Sequence, residues 1–177
     1  LAKCLDISRL DTVGGISADT LLYLPDFSAN ERAYDLLEQV SGRSGRGDRP
    51  GHVFIQTRTP DHPAVVLAAA GDFWAFARAE LEHRRLLGYP PYRYLMKLSI
   101  AQAKQDVAKA KAAALYDKLK GVDQVVILGP APAFHERAGG RYHWHLVLRA
   151  ASRRRLQQIA ADLPPEWKID LDPTDLL

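Results

Sequence analysis

The first part of the chain alternates between short apolar runs and one amphipathic stretch. Residues 13–18 are largely apolar and contain two glycines, which predicts a buried strand. Residues 52–57 place Val53 and Ile55 on one face and Phe54 and Gln56 on the other, which predicts a second strand. Between them, a capping box at Ser28 and Glu31 begins a predicted helix that runs to about Val40. Its apolar positions recur at i, i+3, i+4 and i+7: Ala33, Leu36, Leu37 and Val40. Strand, helix and strand at this spacing predict an α/β unit with a parallel sheet.

A different rhythm begins after a pair of prolines. Two helices are predicted over residues 61–71 and 72–87, the second ending at Gly88. Because the step from Pro90 to Pro91 fits neither a helix interior nor a central strand, it predicts a domain boundary. Beyond it, the pattern predicts strand, helix, strand, strand, helix and strand over residues 93–101, 105–120, 124–128, 141–149, 152–163 and 167–171. This order is that of the α+β ferredoxin-like (βαββαβ) arrangement.

Alternation divides the two longest of these strands into an apolar and a basic face. The apolar face carries Tyr94, Met96, Leu98, Ile100, Tyr142, Trp144, Leu146 and Leu148. The basic face carries Arg93, Lys97, Ser99, Arg141, His143, His145, Val147 and Arg149. If the apolar face packs on the helices, the basic face is left open to the phosphate backbone of a nucleic acid. A sheet face that is only solvated has the same pattern.

Two smaller groups of residues are further candidates. Arg153, Arg154 and Arg155 lie in the first turn of a predicted helix, where a phosphate partner would offset their unfavourable interaction with the helix dipole. His143 and His145, together with His135, are candidate metal ligands. A surface pair is favoured for these histidines, since no carboxylate or thiol lies at ligand spacing, and no metal site is predicted.

Charge follows the same division of the chain. Residues 1–71 hold 7 Lys or Arg against 9 Asp or Glu, for a net charge of −2, whereas residues 72–177 hold 17 against 12, for +5. A hydrophobic content of 47% argues against a disordered chain, and no apolar stretch reaches the roughly 18–20 residues of a membrane-spanning helix. Cys4 is the single cysteine, which excludes an internal disulfide and favours a reducing, cytoplasmic setting. The sequence opens on Leu1, so we expect a processed chain or part of a longer protein.

The strongest candidate for chemistry is the glycine-rich segment after the first long predicted helix. Its pattern is Gln-x-x-Gly-Arg-x-Gly-Arg, formed by Gln39, Gly42, Arg43, Gly45 and Arg46. Arginine offers a planar fork of donors that suits phosphate oxygens, and the glycines let the backbone bring both guanidinium groups toward one target. On spacing alone, a solvated basic turn at a helix C-terminus fits these residues equally well.

This pattern resembles motif VI of superfamily 2 helicases, and its neighbours narrow the resemblance to the PriA family of primosomal replication-restart helicases. The matching segments are residues 21–27, 30–32, 51–57, 80–84, 89–92, 128–132 and 169–177. They run in order over essentially the whole chain, and the Pro-Pro-Tyr and Asp-x-Asp-Pro elements among them are more specific to the family than motif VI. Residues 2–6 resemble the family's motif V, but Cys4 stands where that motif has glycine.

The resemblance implies an ATP-dependent 3′→5′ DNA helicase that recognises stalled or branched forks and restarts replication through primosome assembly. Residues 1–71 would be the end of a RecA-like second lobe with a parallel sheet, residues 72–91 a helical linker, and residues 92–177 a C-terminal DNA-binding domain. The implied partners are branched and single-stranded DNA, single-stranded DNA-binding protein and other primosome proteins.

The same resemblance implies roles for residues of the first part. Arg43 and Arg46 would meet the γ-phosphate of ATP, and the residues assigned near the nucleotide are Gln39, Gly42, Gly45 and Asp6. Lys3 would contact DNA. ATP with Mg²⁺, and zinc, would be cofactors of the complete protein.

Three parts of such an enzyme are missing from this sequence. It contains no P-loop, no Asp-Glu-x-His and no paired cysteines, so this stretch alone is predicted neither to hydrolyse ATP nor to bind zinc. Two alternatives stay open: a stand-alone module that binds single-stranded nucleic acid, and a protein-interaction module, both without ATPase activity.

Overall fold

The computed structural model describes residues 12–15, 18–41 and 52–177. The chain divides into two compact units, Leu1–His83 and Arg84–Leu177. The elements of the first unit are β1 (Thr12–Gly15), α1 (Asp19–Leu22), α2 (Ala29–Ser41), β2 (His52–Ile55), α3 (Pro63–Ala70) and most of α4 (Phe73–Leu87).

The described strands of the first unit pair in parallel. Thr12 lies opposite His52 and Gly15 opposite Ile55, which confirms the predicted parallel pairing of strands on either side of a helix. Strand β2 is shorter than predicted, with four residues rather than the six of residues 52–57. Two paired strands do not amount to a RecA-like lobe, so that part of the prediction goes beyond the described fold.

Helix α2 packs on α3 around a buried tyrosine. The predicted apolar stripe is confirmed at Ala33 and Leu37, whereas Leu36 is exposed. Tyr34 is buried in its place, and its ring stacks on that of Phe76 with the centroids 4.1 Å apart. Other members of this cluster are Leu22, Ala64, Val65 and Ala68. The buried face of α2 is therefore rotated toward Tyr34, because the large aromatic ring removes more apolar surface from water than Leu36 would.

Asp19, at the start of α1, holds the segment that follows β2. Its Oδ1 accepts hydrogen bonds from Thr57 Oγ1 at 2.7 Å and Thr59 Oγ1 at 3.2 Å, and its Oδ2 accepts one from the backbone N–H of Arg58 at 3.0 Å. These bonds, the one from Thr57 foremost, lower the pKa of Asp19 below its usual value, since they favour the ionised carboxylate.

The second unit is a four-stranded antiparallel sheet with two helices on one face. Its elements are β3 (Tyr94–Gln102), α5 (Gln105–Leu119), β4 (Val125–Ala138), β5 (Arg141–Ala150), α6 (Arg153–Ala161) and β6 (Lys168–Leu171). The strands lie in the order β4-β5-β3-β6, and each neighbouring pair is antiparallel. This order of elements is the predicted one, with the helices as the two crossover connections of a split βαβ arrangement.

One face of this sheet supplies the core of the unit. Met96, Leu98 and Ile100 of β3 and the alternate residues Trp144, Leu146 and Leu148 of β5 are buried in one cluster. The helices contribute Ala108, Ala112, Leu115, Leu119, Leu156 and Ile159. Small alanines on α5 let the helix approach the sheet closely. The apolar face predicted from alternation is confirmed at these strand positions, whereas Tyr94, at its end, is exposed.

Strand β4 is longer and less regular than predicted. It extends to Ala138 rather than ending at Leu128, and its register with β5 shifts between Leu128 and Ala131 and again between Pro132 and Arg137. Gly129 lies at the first shift with φ +97, and a Cβ there would come within 3.0 Å of the carbonyl oxygen of His145. Pro130 and Pro132 count against a strand when only the sequence is considered. At the edge of the sheet, however, a strand with bulges accommodates them.

Candidate nucleic-acid interface

The basic residues predicted to bind nucleic acid lie on the sheet face that is turned away from α5 and α6, here called the outer face. In the β3–β5 pairing, Leu95 is opposite Arg149, Lys97 opposite Val147, and Ser99 opposite His145. Strand β6 adds Asp170 opposite Lys97 and Lys168 opposite Ser99. Directly opposite residues of neighbouring strands share a face, so the structure brings most of the predicted cations onto one surface.

The middle of the outer face is buried rather than open. Leu95 is 0% and Val147 3% exposed, although both lie on the face that was predicted to be free. Lys97 Nζ donates a hydrogen bond to the main-chain oxygen of Leu177, which places Leu177 on this face. The expectation of an open basic face is therefore wrong for the middle of the face, and the exposed cations lie toward its two ends.

His145 is at this buried middle. Burial, and then the charge of Lys97, lower the pKa of its imidazole below the usual value, so the ring is neutral at pH 7. Its Nδ1 is buried without a hydrogen-bond partner in the described part of the chain. His145 thus adds no positive charge to the predicted interface near neutral pH.

One end of the outer face is a cavity of about 510 Å³ lined by three arginines, Arg85, Arg93 and Arg149. Arg149 Nη1 donates to the carbonyl oxygen of Leu87, and its guanidinium lies 5.3 Å from the centroid of the Tyr89 ring. Gly88, with φ +67, ends α4 beside them. The predicted cations Arg93 and Arg149 are together here, but Arg149 is held by the end of a helix.

The other end is a second cavity, of about 470 Å³, called here the histidine pocket. Its charged and histidine lining consists of Lys97, His135, Arg141, His143, Glu166 and Lys168. Arg141 and Lys168 are exposed and have no carboxylate partner among the described residues, while Glu166 pairs with Lys111. This end therefore has an excess of positive charge. Sequence reasoning did not place Lys168 in the interface, although period-two alternation along β6 puts it on the same face as Ser99.

The arginines at the start of α6 have mixed surroundings. Arg153 Nε lies 2.8 Å from Asp172 Oδ2, a carboxylate that compensates a cation in the first turn of a helix. Arg154 is exposed, and Arg155 Nη1 donates to Gln158 Oε1 at 3.4 Å. At Arg153 the compensating group is therefore a carboxylate of the same unit rather than the predicted phosphate.

Most residues assigned to the ATP site lie outside the described residues. These are Asp6, Gly42, Arg43, Gly45 and Arg46. Lys3, which was assigned to DNA, and Cys4 also lie outside the described residues. Gln39 is described, and it is exposed near the C-terminal end of α2. Residues 12–15, 18–41 and 52–177 contain no group of three His, Cys, Asp or Glu side chains that could hold a metal ion.

Comparisons with known proteins all match this chain to the same family. Residues 85–174 match the family described as Primosomal protein N C-terminal domain. The chain is 37% identical over 175 residues to the replication restart protein PriA of Bacillus subtilis, a match that covers 97% of this chain and 22% of the relative. The proteins of the same name from Treponema pallidum and Haemophilus influenzae are 37% and 33% identical, covering 100% and 99% of this chain and 28% and 26% of the relatives.

The chain thus spans roughly a quarter of the length of these relatives. None of the helices in the described ranges has the length and apolar character that crossing a membrane requires. The match over residues 85–174 includes the whole antiparallel sheet and both helices packed on it. The chain belongs to the PriA family, in which it carries the primosomal protein N C-terminal domain.

Proposed function

We propose that the chain is part of an ATP-dependent 3′→5′ DNA helicase that acts at stalled or branched forks and restarts replication by primosome assembly. The observation that carries the proposal is the alignment of nearly the whole chain with proteins named replication restart protein PriA. In this proposal, residues 1–71 end a RecA-like lobe, residues 72–91 connect, and residues 92–177 bind DNA. Single-stranded DNA-binding protein and other primosome proteins are the proposed protein partners.

The first part of the chain would supply Arg43 and Arg46 to the nucleotide. Two guanidinium groups can offset the charge that spreads over the γ-phosphate oxygens during phosphoryl transfer. Gln39, Gly42, Gly45 and Asp6 would lie close by, and ATP with Mg²⁺ supplies the reacting phosphate and its counter-charge. The residues that cradle the nucleotide and hold the metal would come from outside this sequence, as would the ligands of zinc.

The second unit would bind the phosphate backbone. Support comes from the cations at the two ends of the outer face, chiefly Arg93, Arg141 and Lys168, which have no carboxylate partners among the described residues. Contacts of this kind release counterions, so affinity should fall steeply as salt rises.

Substitution of the motif VI arginines in the complete protein tests the helicase proposal. Arg43→Ala and Arg46→Ala should abolish DNA-stimulated ATP turnover and leave DNA binding largely intact, because neither residue is assigned to DNA. Arg49→Ala, in the same segment but outside the motif, is the matched control and should keep turnover. Wild-type ATPase in both motif variants rejects the assignment, and so does clear ATP turnover by the isolated 177 residues.

The compactness of the second unit favours one other candidate, a nucleic-acid-binding module that works without an ATPase. The two candidates differ in the reading frame upstream of Leu1. A frame that encodes a P-loop, Asp-Glu-x-His and paired cysteines supports the helicase, and a stop codon supports the module.

A further inference from the structure

The histidine pocket combines small, planar and cationic side chains. Small residues, Ser99, Ala101, Ala133 and Ala138, leave the space open. Two imidazoles, His135 and His143, supply planar surfaces. Ala101 lies opposite His143 in the β3–β5 register, so the small and the planar side chains come from neighbouring positions of adjacent strands.

Both imidazole rings have defined contacts. His143 Nε2 lies 3.2 Å from the carbonyl oxygen of Ala138, so this nitrogen carries the proton and donates. The ring of His135 packs against that of Phe134 at 70° with the centroids 5.0 Å apart. The His143 ring, fixed by this hydrogen bond, loses little further freedom when a flat ligand stacks on it.

The charge of the pocket selects an anion. Arg141 and Lys168 have no carboxylate partner in the described part of the chain, and Lys97 uses one of its three donors on Leu177. Glu166 also lines the pocket, but its Oε2 forms an ion pair with Lys111 Nζ. A ligand therefore meets two cations without a carboxylate partner among the described residues, Arg141 and Lys168, beside Lys97, which is bound to Leu177, and Glu166, which is already compensated.

We propose that the histidine pocket binds one unstacked nucleotide of a single strand, with the base against His135 and His143 and the phosphate on Lys97, Arg141 and Lys168. This inference rests on the proposed DNA-binding function and assigns part of it to one place. A cavity of about 470 Å³ has the size of a small-molecule site. A base in a duplex is covered by its neighbours, whereas a base in a single strand is free to leave the stack and lie on an aromatic ring.

A substitution that fills the pocket without changing its charge distinguishes binding of a base in the pocket from general electrostatic attraction to the phosphates. The probes are a fluorescent thymidine oligonucleotide of about 12 nucleotides and an oligonucleotide of the same length in which every base is missing. In the 177-residue chain, Ala133→Leu should weaken binding of the thymidine strand about fivefold or more, since stacking one base contributes at least that factor. Binding of the abasic strand, and the dependence of both affinities on salt, should stay unchanged.

The matched control is Ala110→Leu, on an exposed position of α5 away from the pocket. It should leave binding of both strands unchanged. Thermal unfolding of each variant checks that it folds, and His135→Ala, at an exposed position of β4, provides a second variant with the same expected loss.

The outcomes separate the two levels of the proposal. If the thymidine strand binds the wild-type chain, Ala133→Leu and His135→Ala with equal affinity, the pocket assignment is overturned while DNA binding by the unit stands. If the wild-type chain binds neither strand at low salt, the proposed DNA-binding function of this unit fails, and the pocket assignment fails with it.

Discussion

Arg149 of β5 donates a hydrogen bond to the carbonyl oxygen of Leu87, the last residue of α4, although the two residues are 62 positions apart. The last carbonyls of a helix have no partner within the helix, so this guanidinium completes the end of α4. The Tyr89 ring lies beneath it, 5.3 Å from centroid to Cζ. A cation that alternation assigned to nucleic acid therefore has a structural task in the second unit.

Arg149→Ala should lower the free energy of unfolding of the second unit by about 1–2 kcal/mol, because it removes a charge-assisted hydrogen bond and a cation–π contact. Arg149→Lys should restore only part of this loss, since lysine lacks the planar fork. Urea unfolding measures the effect. Arg93→Ala is the control, because Arg93 lines the same cavity and has no partner among the described residues. Equal stability of the two alanine variants contradicts the structural role.

Gly129→Ala should be strongly destabilising, by about 2 kcal/mol or more. The backbone there has φ +97, and the new Cβ would lie 3.0 Å from the carbonyl oxygen of His145 and 3.1 Å from the backbone nitrogen of Ala131. Gly121→Ala, with no heavy atom within 4 Å of the added Cβ, is the matched control and should change little. Thermal unfolding of both variants decides: a Gly129→Ala protein as stable as the control argues against the bulge.

The neutral imidazole of His145 makes stability depend on pH. Its folded pKa lies below the ordinary value of 6.5, so the unfolded chain binds a proton in a range where the folded chain does not. Stability should be at its full level above the unfolded pKa and decrease as pH falls toward the folded pKa. Chemical unfolding at several pH values measures this, and His145→Gln should flatten the profile in that window. A His145→Gln profile as steep as that of the wild type, with His135→Gln as reference, contradicts the assignment.

Asp19 should act in the same direction, in a lower pH range. Its folded pKa is depressed by the hydrogen bonds from Thr57, Arg58 and Thr59, so its contribution is present above the unfolded value near 3.8 and is lost as pH falls through the folded pKa. Asp19→Asn should remove this acid-dependent loss, and Thr57→Val should reduce it. The measurement is hydrogen exchange of the Arg58 amide across the acid range, and protection that is unchanged in Asp19→Asn would sink the idea.

The order of elements in the second unit could be predicted because its strands and helices have distinct periods. Met96, Leu98 and Ile100 alternate along β3, and Leu156 and Ile159 recur at helical spacing along α6. The predicted strand ends at Leu128, whereas β4 extends to Ala138, because in a sequence pattern Pro130 and Pro132 count against a strand wherever they occur. Only the pairing with β5 shows that β4 lies at the edge, where prolines are tolerated.

The sequence predicted which residues share a face of the sheet, but not which parts of that face are covered. Alternation correctly placed Lys97, Arg141 and Arg149 on one face. It carried no information on what covers the middle of that face, because the segment that follows β6 has no period of its own. The partnership of Arg149 with Leu87 likewise joins distant parts of the chain, and a local pattern contains no signal for it.

The prolines of β4 have a consequence for how the protein behaves in a crowded solution. An edge strand offers a row of free N–H and C=O groups to which a strand from another molecule can add. Pro130 and Pro132 lack the N–H, and the two register shifts bend the strand, so the outer edge of β4 is a poor template for such addition. The opposite edge, β6, has only four residues and carries Lys168 and Asp170. Both borders of the sheet are therefore protected against intermolecular sheet extension and the aggregation that follows from it.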